Sequence, residues 1–490
     1  MSGKIFNTSD LSFFQKVSAI AFTNPFDNYR DKLFKEISED YSFQSSDKNR
    51  QNAYLKVLSK LDILKQQNKA NLKNFLGDEL FIIKYVFLFE IYHKYLDEFD
   101  ALILEQNKIE NSVNVKFADN LTGDLLKRGF KQSEAIIYLA FFYQYRRAFY
   151  FIDRGIIGNS KCMIQYRRSL WNNVFTCDIS LYEKTLFNQM DDFSTLFLGE
   201  TGSGKGAGAS AVGKSRFIPY DKTNNKFKES FSKSFVEINL SEFPETLIES
   251  ALFGHKKGAF TGAISDNNGI FDKCSSFGSI FLDEIGDLSI PIQIKLLNVL
   301  QGRFYSPVGS HEKRIFSGRI IAATNQSLTK LRRENKFRND FFYRLCSDII
   351  NVPSLRERIN ENTLELEELI NHCVIKITKD RNSTLVTKVL DVIHTQLPKE
   401  YLWPGNVREL EQCIRRIIIN GSYKGDDIFA EIDKNSDFYS LFESGNLKAM
   451  DVLAGYCSFI YKKFGTYDEV SKRSGLDRRT VKKYIKNFRS

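Results

Sequence analysis

Residue types that staple a fold or bind metal are scarce in this chain. Seven cysteines among 490 residues (Cys162, Cys177, Cys274, Cys346, Cys373, Cys413 and Cys457) are dispersed without a CxxC pair. An odd, scattered set reads as reduced thiols and excludes a disulfide framework. The five histidines form no HxxxH or Cys/His cluster, which speaks against a structural zinc site. The longest stretch free of charge, Ala135–Tyr145, has eleven residues, whereas a membrane-spanning helix needs about 20. The opening MSGKIFNTSD has no apolar core followed by a small-residue cleavage site. No secretory signal and no membrane partner are therefore expected, and the expected location is the cytoplasm.

What is present is ordinary globular material. With 42% hydrophobic and 27% charged residues, wholesale disorder is excluded, and the length implies about three domains. Lys and Arg total 70 against 60 Asp and Glu, and 11 basic against 4 acidic residues fall between Asn446 and Ser490. That local excess points to a polyanionic partner.

Residues 1–150 contain a single proline, Pro25. Apolar residues recur there at helical spacing in Leu80–Phe89, and an aromatic-rich run, Ala135 to Ile152, is broken by Gln144, Arg146 and Arg147. Both predict buried helices of an all-α domain, with the aromatic stripes as core. The absence of strand–helix alternation argues against a phosphoacceptor receiver domain. The character changes near Asp192, where apolar runs at Phe193–Leu198, Phe235–Leu240, Ser279–Leu282 and Arg319–Ala323 alternate with helical segments. That alternation predicts a parallel α/β sheet. The Lys-, Asn- and Ser-rich stretch 220–234 reads as an exposed insertion. Helices are expected again over Glu361–Asp380, Thr387–Gln396 and Val407 to about Asn420, then a linker, then three short helices. The expected domains are 1–180 (helical, regulatory), 181–355 (α/β), 356–422 (helical lid), 423–446 (linker) and 447–490 (helix-turn-helix).

Gly199-Glu200-Thr201-Gly202-Ser203-Gly204-Lys205-Gly206 follows the first apolar run. Glycines at this spacing let backbone N–H groups turn inward around phosphate oxygens, and the following helix presents its positive end to them. Lys205 adds a point charge for the β and γ phosphates. Gly206 departs from the pattern, standing where Ser or Thr normally meets magnesium. About 80 residues on, the run Ser279–Leu282 ends in Asp283 and Glu284. A carboxylate there suits Mg²⁺ (Asp283), and its neighbour suits orienting an attacking water (Glu284). Asn325, ending Ile320-Ile-Ala-Ala-Thr324, is positioned to sense the γ-phosphate. The implied substrate is ATP, with Mg²⁺.

In this light the chain resembles the AAA+ ATPase activators of sigma-54 RNA polymerase, the bacterial enhancer-binding proteins. The resemblance rests on Gly258-Ala259-Phe260-Thr261-Gly262-Ala263, Phe281–Gly286, Ala322–Asn325, Phe337–Leu345 and Trp403–Leu410, in the family's order from about Gln189 to Ile418. It implies an AAA+ P-loop domain with a helical lid, assembled as a ring, hexameric by family. Arg338 and Arg344 match arginine fingers that act on a neighbouring subunit's ATP. Arg408 matches the lid arginine that reads its own subunit's nucleotide, and Asn239 matches the asparagine that holds Glu284. Gly258–Ala263 matches the loop that contacts the sigma-54 factor, with Phe260 and Thr261 as an apolar tip that projects. Family members usually carry Glu at position 206, so glycine is a further departure.

Thr466–Ile485 reads as helix, glycine turn, helix, with Val470, Leu476, Val481 and Ile485 packing the pair and Asp477 as N-cap. Arg478, Arg479, Thr480, Lys482, Lys483 and Lys486 then line an exposed face suited to double-stranded DNA, an upstream activator site by resemblance. It resembles the Fis-type helix-turn-helix that ends most sigma-54 activators. Two rivals stay open: an AAA+ motor that remodels something other than polymerase, and a repressor whose ATPase core has decayed.

Overall fold

The structure is a computed structural model that describes residues 5–39, 46–398, 400–425 and 448–488. Most of the expected linker therefore lies outside the described residues, as does the side chain of Lys486. The chain divides into two compact units, residues 1–387 with 405–412, and residues 388–404 with 413–490.

The first unit begins with eight helices: α1 (Thr8–Ala21), α2 (Asn28–Ser38), α3 (Ser46–Gln66), α4 (Gly77–Lys94), α5 (Leu96–Gln106), α6 (Ala118–Lys127), α7 (Gln132–Gly155) and α8 (Lys161–Phe175). The all-α expectation describes this region, and the two aromatic runs fall in α4 and α7. After a short turn, α9 (Ile179–Leu181), strand β1 (Thr195–Leu198) leads into α10 (Lys205–Gly213). The short strands β2 (Tyr220–Asp221) and β3 (Lys226–Phe227) precede β4 (Phe235–Asn239), and α11 (Glu245–Phe253) and α12 (Ile270–Lys273) precede β5 (Ser279–Asp283). Next come α13 (Ile290–Gly302), β6 (Phe304–Tyr305), β7 (Arg314–Ile315) and β8 (Arg319–Thr324). Helices α14 (Leu328–Arg333) and α15 (Asn339–Leu345) lead to β9 (Asp348–Asn351), followed by α16 (Leu355–Glu361) and α17 (Leu364–Thr378).

Strands β4, β5, β8, β1 and β9 form one parallel sheet in that order. The strand period of two divides its residues between two cores. Phe197, Phe281, Ile321 and Ala323 join the core shared with the N-terminal helices, whereas Leu196, Ile280, Leu282, Ile320 and Ala322 join a second core on the opposite face, with Leu296 and Val299 of α13. The hydrophobic core therefore runs through residue 180 without a break. Arg319 fixes the start of the sheet against α8. Its buried guanidinium donates to Phe193 O (2.8 Å), Asn173 O (3.1 Å), Asn173 Oδ1 (2.9 Å) and Thr195 Oγ1 (3.1 Å), so the charge is desolvated but each of its three nitrogens is hydrogen-bonded.

Stretch 220–234 departs from expectation. It is not an exposed insertion: Phe227, Ser230, Phe231 and Ser234 are buried. The Phe227 ring stacks on Tyr143 of α7 at 4.0 Å, and Phe231 meets Phe151 edge-on. Its polar residues conceal two aromatic anchors that the helical region captures.

Helices α18 (Ser383–Gln396) and α19 (Asn406–Asn420) pass between the two units. The second unit also holds α20 (Ala449–Phe464), α21 (Tyr467–Ser474) and α22 (Arg478–Phe488), packed around Cys457, Ile460, Val470, Val481 and Ile485. Gly475 ends α21 at φ 70°, the left-handed conformation that glycine adopts without strain.

Candidate functional site

Parallel α/β sheets bind ligands beyond the carboxyl ends of their strands, and here those ends carry the motif residues. Between β1 and α10, Gly202 and Gly204 take φ of 75° and 105°. A β-carbon at Gly202 would sit 2.3 Å from the Gly405 carbonyl and 2.9 Å from Arg408 Cβ, so only glycine permits this approach. Val407 N–H donates to Gly202 O at 3.1 Å, closing the start of α19 onto the loop.

The loop borders a cleft of about 430 Å³ that Lys205, Asp283, Glu284, Arg408, Tyr166 and Ile157 also line. Lys205 donates to Gly199 O (3.0 Å) and Glu200 O (3.3 Å). Burial pushes its ammonium below the usual lysine range, against the opposing pull of Glu284 and Asp283, and Arg408 pushes in the same direction as burial. Such a cation gains from an arriving polyanion. Ser203 Oγ is buried in the loop with no hydrogen-bond partner among the described residues. An under-partnered hydroxyl and a lysine resting on carbonyls fit a phosphate group.

Asp283 ends β5 and accepts the Glu284 N–H at 3.0 Å. That leaves its second carboxylate oxygen for Mg²⁺, which commonly takes one or two protein carboxylates and fills its shell with phosphates and water. Glu284 sits at φ 56°, ψ 48°, a left-handed position unusual for a side chain that is not glycine. Its carboxyl is raised by burial, with Lys205 and the Asn325 N–H pulling the other way. Asn325 joins both halves of the cleft: its N–H donates to Glu284 Oε2 (3.3 Å) and its Nδ2 to Thr201 Oγ1 (2.8 Å). At Gly206, a β-carbon would meet only Phe281 Cε1, at 3.8 Å. Packing therefore does not require glycine there.

Other sequence candidates lie elsewhere. Asn239 does not meet Glu284; its amide accepts from Ser241 N (3.2 Å) and donates to Glu242 Oε1 (3.2 Å), capping its own turn. Neither arginine-finger candidate lines its own chain's cleft. Arg338 is half-buried and paired with Asp340 (3.0 and 2.6 Å), and Arg344 donates to Leu300 O at the end of α13 (3.1 and 3.0 Å). In the loop 258–263, the N–H of Gly258 donates to Ala263 O (2.8 Å) and that of Ala263 to Phe260 O (3.0 Å). Gly258, Thr261 and Gly262 are exposed, Ala259 is half-buried and Ala263 is buried. Phe260 differs from expectation: instead of projecting, its ring packs edge-on against His255 at 4.9 Å and is half-buried. A lone phenyl in water gains by covering itself on the nearest ring. The exposed apolar residue beside the loop is Ile264, at 83%.

In the second unit, Asp477 caps α22 by accepting from Arg479 N (2.9 Å) and Thr480 N (3.0 Å), and the Thr480 hydroxyl also donates to it. Arg478 reaches Asp468 at 3.2 Å, while Arg479, Lys482 and Lys483 are exposed.

Two residues that brace the loop were not legible in the sequence. Asn406, fully buried at φ 53°, donates to Glu200 Oε2 (3.1 Å) and Thr201 O (3.1 Å) and accepts from Leu355 N (2.8 Å). Arg356 grips the same Glu200 with both terminal nitrogens and, more than any other cause, holds its carboxyl below the usual range. An asparagine directly ahead of a helix was the available signal, and it reads as an ordinary N-cap.

Residues 180–351 match the sigma-54 interaction domain, and residues 360–433 match the AAA+ ATPase lid domain. The DNA-binding transcriptional regulator NtrC of Azospirillum brasilense is 40% identical over 46% of this chain and 43% of its own length. The chain belongs to the sigma-54-dependent activators. Another relative, nitrogen fixation protein AnfA of Azotobacter vinelandii, is 34% identical over 68% of this chain and 57% of its own. The chain thus spans about half the length of these curated relatives. Solved NtrX from Brucella abortus in complex with ADP aligns with 76% of this chain and 81% of its own at 19% identity, with a TM-score of 0.41. No helix among the described residues is long and apolar enough to cross a membrane.

Proposed function

We propose that this activator hydrolyses ATP in a ring and uses the work to remodel sigma-54 RNA polymerase, so that a closed promoter complex opens. The reading is carried by the convergence of Lys205, Asp283, Glu284 and Arg408 on one cleft beside the Gly199–Gly204 loop. Lys205 leaves its two loop carbonyls for the β and γ phosphates. Glu284, partly desolvated, orients and polarises the attacking water. Mg²⁺, held by Asp283, supplies neutralisation of the phosphate charge. Asn325, bonded to both Thr201 and Glu284, reports whether the γ-phosphate is present, and Asn239 restrains Glu284 in a different state of the cycle. Arg338 and Arg344 act on the neighbouring subunit's nucleotide, which makes turnover depend on assembly. Loop 258–263 swings Phe260 off His255 to meet sigma-54. The α21–α22 pair is a helix-turn-helix whose residues Arg478–Lys486 meet DNA, residues 1–180 regulate, and residues 356–422 form the lid.

The test is transcription from a sigma-54 promoter with purified polymerase, with and without hydrolysable ATP. Thr261→Ala is expected to abolish open-complex formation while keeping most ATP turnover. Normal activation by that variant removes the polymerase reading. Turnover without any open complex in the unmodified protein would assign the motor to another partner.

A further inference from the structure

The helical region contains a cavity of about 90 Å³ between α1, α2, α4 and α7, lined also by Ile179 and Tyr182. Its walls are apolar and aromatic, among them Phe22, Leu88, Phe89 and Phe142. An apolar cavity of about 150 Å³ takes benzene, so a branched chain of about four or five carbons or most of one ring fits this one.

One charge in the wall has no ion-pair partner among the described residues. The half-buried Arg30 side chain, on α2, lines the cavity with its guanidinium 5.7 Å from the centre of the Phe34 ring, and its Nε is buried without a hydrogen-bond partner among the described residues. Its neighbour Asp31 lies 4.0 Å from a different cation, Arg50. The carboxylate on the far wall, Glu183, is already occupied: it accepts from the Tyr85 hydroxyl (3.0 Å) and the Tyr138 hydroxyl (2.5 Å), with Lys84 at 3.8 Å. His93, driven down to about 3 by burial, is neutral and adds no charge. An unmatched guanidinium beside an apolar hole calls for an anion with an apolar body.

The cavity also connects to the nucleotide machinery. Tyr182 in its wall accepts from Gln144 Nε2 at 2.6 Å, and the same nitrogen donates to Ser215 O at 2.9 Å, two residues past the end of α10. One turn along α7, Arg147 donates to Arg216 O. Through Tyr182, the Gln144 side chain therefore links the cavity wall to the segment that follows the helix carrying Lys205. We propose that this cavity binds a small apolar monocarboxylate, its carboxylate on Arg30, and that Tyr182 and Gln144 transmit its presence to the P-loop helix. The transmission, though not the binding, rests on the ATPase reading above.

Calorimetric titration of the full chain with sodium 2-methylpropanoate and sodium 3-methylbutanoate tests the site, with 2-methylpropanamide and 3-methylbutanamide as the neutral isosteres. At least one carboxylate is expected to bind one-to-one, with its amide at least tenfold weaker, and Arg30→Gln is expected to weaken the carboxylate at least tenfold. Failure of both carboxylates to bind at millimolar concentration overturns the proposal, as does an amide binding as well as its carboxylate or unchanged affinity in folded Arg30→Gln. The comparison of each carboxylate with its amide decides the matter without any variant, should Arg30→Gln not fold. Bound carboxylate is then expected to change ATP turnover at least twofold, and Gln144→Leu to keep binding but lose that response. Binding without any change in turnover removes the transmission step, whereas absent turnover in every sample counts against the ATPase reading and leaves the site standing.

Discussion

At its N-terminus, α10 meets an open cleft through Lys205, while its flank and far end are buried beneath α7 and α8. The open end is polar and geometrically demanding: glycines at positive φ, a lysine resting on carbonyls, carboxylates at strand ends. The covered flank, whose Tyr166 also reaches the cleft, is apolar and tight. There, a β-carbon on Gly208 would lie 1.9 Å from the Tyr166 hydroxyl and 2.9 Å from the Phe197 ring. One helix of nine residues thus serves two sites, and glycine serves each differently. In the loop it supplies a conformation, and at Gly202 room as well; at Gly208 it supplies room alone.

The difference is open to attack at either end, most strongly at the cleft. Lys205→Ala removes the charge that compensates the β and γ phosphates. Losing one such preorganised donor typically costs on the order of 10²–10³ in turnover. Steady-state phosphate release is expected to fall by at least that much, with the thermal midpoint nearly unchanged, because Lys205 bonds only to carbonyls that solvent can also satisfy. A large stability loss with modest loss of turnover would invert the assignment of the two ends.

The open end was legible in sequence and the covered end was not, for a physical reason. Phosphate-cradling backbone admits few residue types, so Gly199–Lys205 and Asp283–Glu284 declare themselves. Strands β1, β4, β5 and β8 follow from apolar runs. β9 escaped because its residues are exposed apart from Ile350, which leaves no alternation to read. Gln144 and Arg147 interrupt an apolar stripe and look like solvent positions, yet both are buried because the backbone carbonyls of Ser215 and Arg216 come from distant sequence to meet them. Phe227 and Phe231 are hidden the same way within a polar stretch. Residues such as Asn406, whose role arises only where three segments meet, show locally no more than an ordinary N-cap.

At the covered end the effect is on stability. Alanine is intrinsically better than glycine inside a helix by about 0.5–1 kcal/mol. Gly208→Ala should nevertheless destabilise by about 1–3 kcal/mol, because the added methyl overpacks against Tyr166. The Tyr166 hydroxyl is buried without a partner among the described residues, so Tyr166→Phe alone should be neutral or stabilising. In the Tyr166→Phe background, Gly208→Ala should recover part of its loss. Chemical denaturation of the four proteins of the cycle measures that coupling. Strict additivity would mean that Tyr166 yields freely and that the close approach is not what selects glycine.

The smallest effect is expected at Gly206, one residue inside the open end, where neither conformation nor room requires glycine. A β-carbon there would make a single ordinary contact, 3.8 Å from Phe281, and the backbone φ is not in the left-handed region. Gly206→Ser is therefore sterically free and should change stability by no more than about 0.5–1 kcal/mol, in the stabilising direction, since serine loses less backbone freedom on folding. Its hydroxyl would lie where P-loops ordinarily present one to magnesium. The magnesium concentration that gives half-maximal ATP turnover is thus expected to fall by several-fold at most, with maximal turnover kept. A fall in turnover of tenfold or more would mean that the bare backbone at 206 is itself part of the phosphate cradle. Glycine would then be required at Gly206 for close approach, as it is at Gly202 and Gly208, and Gly206 would no longer be the one glycine here that the fold leaves free.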